Sequence, residues 1–259
     1  VLPLELAKFR RFLRLAALVT ARPELLRHGK GYLGVLLGLV LLPALLVAVE
    51  TDLGTAMVIT IGGIATLALG RARLGYVLLT IVFLGTIFVG AAMYRPAWGE
   101  RIWSIVHYAD DGVRNDEGLQ LYQSLIAVGS GGLTGRGYCN SLQKYGYLPM
   151  AENDFILAIV AEETGALGAG ALLGLIGFIS IYGLYKASRL DDPFRQLLAG
   201  GVCLVIGFQA AINAGVILGV LPTTGVPFPF VSAGGSARLV YLAALGIMLS
   251  ALREEEQTG

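Results

Sequence analysis

Six largely apolar runs, each near the length that crosses a bilayer, decide what this chain can fold into: 31–49, 54–70, 74–94, 154–186, 194–221 and 237–252. A hydrocarbon core of ~30 Å asks for roughly 20 such residues as helix. Inside it, backbone polar groups must bond within their own segment. The chain therefore reads as all-α, a polytopic transmembrane helical bundle. Composition agrees: of 259 residues only 14% are charged, where a soluble domain carries about 25%. Glycine, at 36 residues, suits close helix packing in lipid. Runs 154–186 and 194–221 exceed a bare span, and Gly165, Gly168 and Gly170 would let the first tilt or bend. Segment 4–20 is basic and amphipathic, either a helix at the interface or the end of one begun earlier. The chain opens on Val1 in charged sequence with no signal peptide, so a longer natural N-terminus is expected.

Lysine and arginine orient the bundle. Residues 1–30 hold Lys8, Arg10, Arg11, Arg14, Arg22, Arg27 and Lys30, which marks that side as cytoplasmic. Counting crossings from there puts Arg71 and Arg73, then Lys186, Arg189 and Arg195, and finally the tail 253–259 on the same side. The opposite face receives the turn at Asp52, the large extracellular segment 95–153 and the outer loop 222–236. Membrane helices thus fill 31–94 and 154–252. Within 95–153, the stretches Ile102–Tyr108 and Leu119–Val128 predict short surface helices. A net charge of +1 offers no nucleic-acid surface. Cys139 and Cys203 lack metal-site spacing and read as two unpaired thiols.

Polar residues gather beside turn formers on the outer face. Asp52, in Glu50-Thr51-Asp52-Leu53-Gly54-Thr55, is placed to cap the next helix or to face a ligand. Asp154 opens the run 154–186, where it either caps the helix or works as a carboxylate favoured by the positive helix end. Ala158 and Ala161 share its side and leave room beside it. Glu162 and Glu163 lie inside the span, where acids are costly; they point about 100° apart, so one needs a partner such as Asn213, Gln209 or Arg238. The stretch Leu221–Ser236, with three prolines and three glycines from Pro222 to Gly235, reads as a shaped loop lining a cavity. Gly129–Gly137 has the look of a phosphate cradle without Walker spacing, with Arg136 as its base.

Together these strings resemble the SEDS family (shape, elongation, division and sporulation; RodA, FtsW and SpoVE). The resemblance is carried by Ala127–Gly137, Ser141-Leu142-Gln143-Lys144 before Tyr147-Leu148-Pro149, Asp154-Phe155 with Ala161-Glu162-Glu163, and Leu221–Ser236. Asp52-Leu53-Gly54-Thr55 and Glu5-Leu6-Ala7-Lys8 add two shorter motifs. The resemblance implies a ten-helix fold of which roughly the last seven are present here. It implies a peptidoglycan glycosyltransferase in the bacterial cytoplasmic membrane, polymerising lipid II and acting with a class B penicillin-binding protein. Asp154 matches the family's essential aspartate, a general base for the acceptor hydroxyl. Asp52, Glu5, Lys8 and Ser232 match polar positions around the cavity. Arg101, Arg136 and Lys144 are candidates for the leaving pyrophosphate, alone or with a divalent cation, Mg2+ or Mn2+. Three departures stand out: Glu152-Asn153 replaces the usual His-Thr and adds a like charge beside Asp154, Leu2-Pro3-Leu4-Glu5 stands for the usual Gln-Pro-Ser-Glu, and Ala233 stands where an aromatic is common. The motif at Ser141–Lys144 leans toward the FtsW and SpoVE branch. A lipid-precursor flippase and a non-catalytic scaffold for the transpeptidase are the rival expectations.

Overall fold

The computed structural model describes residues 2–49, 52–94, 116–145, 148 and 152–253. Among them regular structure is helical throughout. We label the helices α1 (Leu2–Ala21), α2 (Gly29–Val49), α3 (Leu53–Leu69), α4 (Leu74–Tyr94), α5 (Asp116–Gly131), α6 (Ile156–Ala187), α7 (Pro193–Ile217) and α8 (Gly235–Leu252). Helices α2, α6 and α7 are each long and apolar enough to cross a membrane, and α3, α4 and α8 contain shorter apolar stretches. This is a polytopic helical membrane bundle. Leucines at 42, 45 and 46 of α2, and Leu78, Leu79, Val82 and Phe83 of α4, are exposed, the arrangement expected where lipid is the neighbour.

Helix α2 carries a π-helical segment at Leu36–Leu41, closed by the Leu42 amide donating to the Leu37 carbonyl. Pro43 explains it. Proline lacks an amide and its ring crowds the carbonyl four residues back, and a π-turn opens the space. Helix α7 ends at Ile217, four residues before the predicted boundary. The Val220 amide donates to the Gly215 carbonyl and Gly219 N to Val216 O, with Gly219 at φ +69°. That is a Schellman stop on a left-handed glycine, and the apolar run of Leu218, Val220 and Leu221 hid it.

The chain forms two compact units. The described parts of Val1–Leu78, Ile176–Phe208 and Gly234–Gly259 make the first. There α2 and α3 share a core of Ala44, Val47, Ala56 and Ile59, and Phe9 of α1 meets Tyr241 of α8 edge to face at 6.0 Å. Cys203 is buried against Met248, while Cys139, in the other unit, is exposed; both are free thiols. Leu79–Leu175 and Gln209–Ala233 make up the second unit, where Ser124 of α5 donates to the Ile217 carbonyl at 3.1 Å. The expected helix at Leu119–Val128 is the middle of α5, and that at Ile102–Tyr108 falls outside the described residues.

Asp52 caps α3, its Oδ1 accepting the Thr55 amide at 2.9 Å. Asp52→Ala should lower stability by about 1 kcal/mol while Asp52→Ser keeps most of it. Thermal unfolding of the detergent-solubilised protein checks this, and equal midpoints for all three would remove the capping role.

Candidate functional site

The second unit is organised around a break in α6. Gly165 sits at φ 72°, ψ −177° inside the helix, a region open essentially to glycine alone. The break cancels the two bonds that Ala166 and Leu167 would make to the carbonyls of Glu162 and Glu163. All four groups find partners in the preceding loop. Arg136 N donates to Glu162 O and Gly137 N to Glu163 O, both at 3.0 Å, while Ala166 N reaches Gly132 O at 2.8 Å and Leu167 N reaches Leu133 O at 3.2 Å. A side chain at Gly135 would strike the Glu163 carbonyl, and one at Gly165 would strike Leu133 O. The glycines permit a backbone exchange, and the expected phosphate cradle is corrected: the amides of Gly135, Arg136 and Gly137 are already engaged.

The paired acids follow the same logic. Glu162 is fully buried. It accepts from Ser141 Oγ at 2.6 Å, Leu142 N at 3.0 Å and Gln143 N at 3.3 Å, with Arg136 3.6 Å away. Glu163 binds Lys144 Nζ at 2.7 Å, and that hydrogen bond raises the Lys144 pKa. Both acids therefore pair with the loop 136–144. The predicted partners Asn213, Gln209 and Arg238 are not the ones that neutralise them. Lys144 and Arg136, expected to face an anionic leaving group, carry these structural bonds, though the Arg136 side chain stays 39% exposed and so keeps donors for another anion.

Asp154 lies in the turn 152–155 just before α6, half-buried. Three consecutive carbonyls of this turn are held by the far end of the unit. Glu152 O accepts from Ala233 N at 2.8 Å, Asn153 O from Ser232 Oγ at 2.6 Å, and Asp154 O from Asn213 Nδ2 at 2.6 Å. The same Asn213 amide donates to Val226 O at 2.8 Å, which fixes its orientation, since a flipped amide would set oxygen against oxygen. Ser232 also accepts from Phe228 N at 2.7 Å. Its hydroxyl proton goes to Asn153, so Ser232, expected as a substrate ligand, holds the turn. Gly225, at φ +67°, roofs the carboxylate: a Cβ there would lie 3.6 Å from Asp154 Oδ2.

Near this turn stand buried oxygens with no hydrogen-bond partner among the described residues: Asn213 Oδ1, Thr223 Oγ1 and Thr224 Oγ1. The two threonines directly precede Gly225. A buried polar atom left unmet costs about 1–3 kcal/mol, so such oxygens suit a bound polar group. Among the described residues no three His, Cys, Asp or Glu side chains gather for a metal. The side chains of Glu5 and Lys8 and the whole of Arg101 fall outside the described residues, and Asp52 belongs to the first unit.

The FtsW/RodA/SpoVE family model, described as a cell cycle protein, matches residues 1–257. The chain belongs to this family. It is 40% identical over 217 residues to a probable peptidoglycan glycosyltransferase FtsW of Bacillus subtilis, covering 78% of this chain and 52% of that protein. It is 38% identical to the Coxiella burnetii FtsW across 97% of this chain and 68% of the relative. The peptidoglycan glycosyltransferase MrdB of Escherichia coli is 34% identical over 84% of this chain and 59% of its own. The chain thus spans about half to two thirds of these relatives. Among solved structures, a chain of a peptidoglycan synthase complex superposes with TM-score 0.77 at 28% identity, over 98% of this chain and 70% of that one. A Thermus thermophilus RodA mutant gives 0.65 at 26% identity, over 98% and 67%.

In the family member described here, Gly165→Ala should lose at least about 1–3 kcal/mol, because alanine cannot hold that backbone conformation. A thermal midpoint equal to wild type would refute the role given to the break.

Proposed function

We propose that the protein bearing this chain is a peptidoglycan glycosyltransferase that polymerises lipid II on the outer face of the bacterial cytoplasmic membrane. The observation that carries this reading is the Asp154 turn, whose successive carbonyls are fixed by Ala233, Ser232 and Asn213. Fixed backbone is what a general base needs, because proton transfer depends on hydrogen-bond reach to the reacting hydroxyl. The relatives named as peptidoglycan glycosyltransferases support the same chemistry.

In this mechanism the Asp154 carboxylate takes the proton from the acceptor sugar hydroxyl as that oxygen attacks the donor anomeric carbon. The bond to undecaprenyl pyrophosphate breaks and the electron pair leaves with the phosphate. Arg136 has the exposure to meet that charge; Lys144 would first have to release Glu163. In this reading Asn213 Oδ1 and the Thr223 and Thr224 hydroxyls, which are without partners among the described residues, take sugar hydroxyl or amide groups as the site opens to substrate. A divalent cation, Mg2+ or Mn2+, would find oxygen donors in Asp154 and Asn213, and it would supply charge neutralisation to the leaving group. The chain's transpeptidase partner, by the same reading, is a class B penicillin-binding protein.

The full-length protein, purified with that partner and given lipid II and Mg2+ or Mn2+, should build glycan chains. Asp154→Asn should cut the rate by about 10²–10⁴-fold, the usual contribution of a general base. Asn213→Ala should cost up to about 100-fold in kcat through displacement of the turn, with lipid II still bound. Polymer that persists undiminished in Asp154→Asn would defeat the mechanism, and bound lipid II without polymer from wild type would favour a carrier.

A further inference from the structure

A cavity of about 530 Å³ opens in the first unit, on the Lys/Arg-rich face that the charge bias assigns to the cytoplasm. It lies between the ends of α1, α3 and α6 and the start of α7. Its lining includes Thr20, Arg27, Arg71, Ser188, Arg189 and Asp191. Three arginines and one aspartate thus line it, and among the described residues none of the three arginines forms an ion pair. Arg189 rests on the Tyr185 ring, 4.3 Å from its centroid, which leaves its N–H edges free to donate. The Thr20 hydroxyl is buried and without a hydrogen-bond partner among the described residues.

Arg71 supplies a second, independent observation. Helix α3 ends with Arg71 N donating to Ala68 O and Ala72 N to Leu67 O, the same Schellman stop that ends α7. The left-handed residue of that motif is ordinarily glycine, and α7 uses Gly219 there. In α3 the position is Arg71, at φ +61°, although Gly70 is its neighbour in sequence. A cation near a helix C-terminus is favourable, but that benefit needs no residue in a left-handed conformation. Strain kept at a cavity wall points to work for the side chain.

The geometry points to this cavity as a binding site for a phosphate group, carried either by an anionic phospholipid headgroup or by a soluble phosphate compound. Arginine forks match phosphate oxygens in pairs. The volume is that of a small-molecule pocket and exceeds what a bare phosphate fills. Basic pockets between membrane helices on the cytoplasmic side hold anionic headgroups elsewhere. The inference is independent of the glycosyltransferase reading.

The test places the full-length protein in nanodiscs of phosphatidylcholine alone or mixed with phosphatidylglycerol, and reads retained lipid by native mass spectrometry. A parallel arm titrates inorganic phosphate into the detergent-solubilised protein and reads the thermal midpoint. Wild type should retain phosphatidylglycerol preferentially or gain stability with phosphate. The first result alone identifies the lipid, and the second alone identifies a soluble ligand. Arg27→Gln, Arg71→Gly and Arg189→Gln should each weaken that response about fivefold, from about 1 kcal/mol per basic residue near a charged surface. Arg71→Gly should do so while raising the midpoint without ligand, since glycine relaxes the turn; lost binding is then separable from lost folding. Equal retention of both lipids together with no phosphate response would overturn the inference, as would an undiminished response in all three variants.

Discussion

Breaking a helix at membrane depth is tolerable only if the freed amides and carbonyls are met at once, and the second unit is built on that requirement. Gly165 opens α6, and the loop 131–137 closes the opening with two bonds in each direction. Much else follows from this exchange. The loop must lie along α6, so Ser141, Leu142 and Gln143 arrive at the Glu162 carboxylate and Lys144 at Glu163. Acids that would be costly as isolated charges in a span instead bind the loop a second time, through side chains. Backbone and side chain make the same contact twice.

A different kind of fixing acts on the Asp154 turn. There the bonds run through the carbonyls of Glu152, Asn153 and Asp154. Asn213 is central because one amide group joins the turn to Val226, and Val226 neighbours the glycine that roofs the carboxylate. Precision at a reacting group, the role proposed for Asp154, needs a locked supporting shell. Here that shell is a membrane helix, a serine and the amide of Ala233.

Lipid is a demanding solvent, so helix positions were largely legible from sequence: α4 occupies the predicted 74–94, and α2, α3 and α8 begin within two residues of expectation. The end of α7 was not, because a stop made by backbone bonds around Gly219 leaves no polar mark. Asp154 and Asp52 were readable as residues next to helix starts. The partners of Glu162 and Glu163 were hidden for a physical reason. A helix projection assumes an unbroken helix, and the loop that meets these acids reaches them only because α6 is broken. The glycine run 129–137 looked like an anion cradle since exposed amides serve anions and carbonyls alike. Only the structure shows which acceptor took them. Asn213 was noticed as a partner for an acid, yet its bonds go to backbone.

The position of the break along the chain bears on how such a helix enters a membrane. Residues 131–144 precede α6, so a chain made from its N-terminus has this loop before α6 is complete. The loop's amides and carbonyls are therefore made before Gly165, which lies about 14 Å into a helix that starts at Ile156. With that order the partners of the four freed backbone groups exist when the break is made; the reverse order, with the loop following the helix, would leave them unmet until the loop was made.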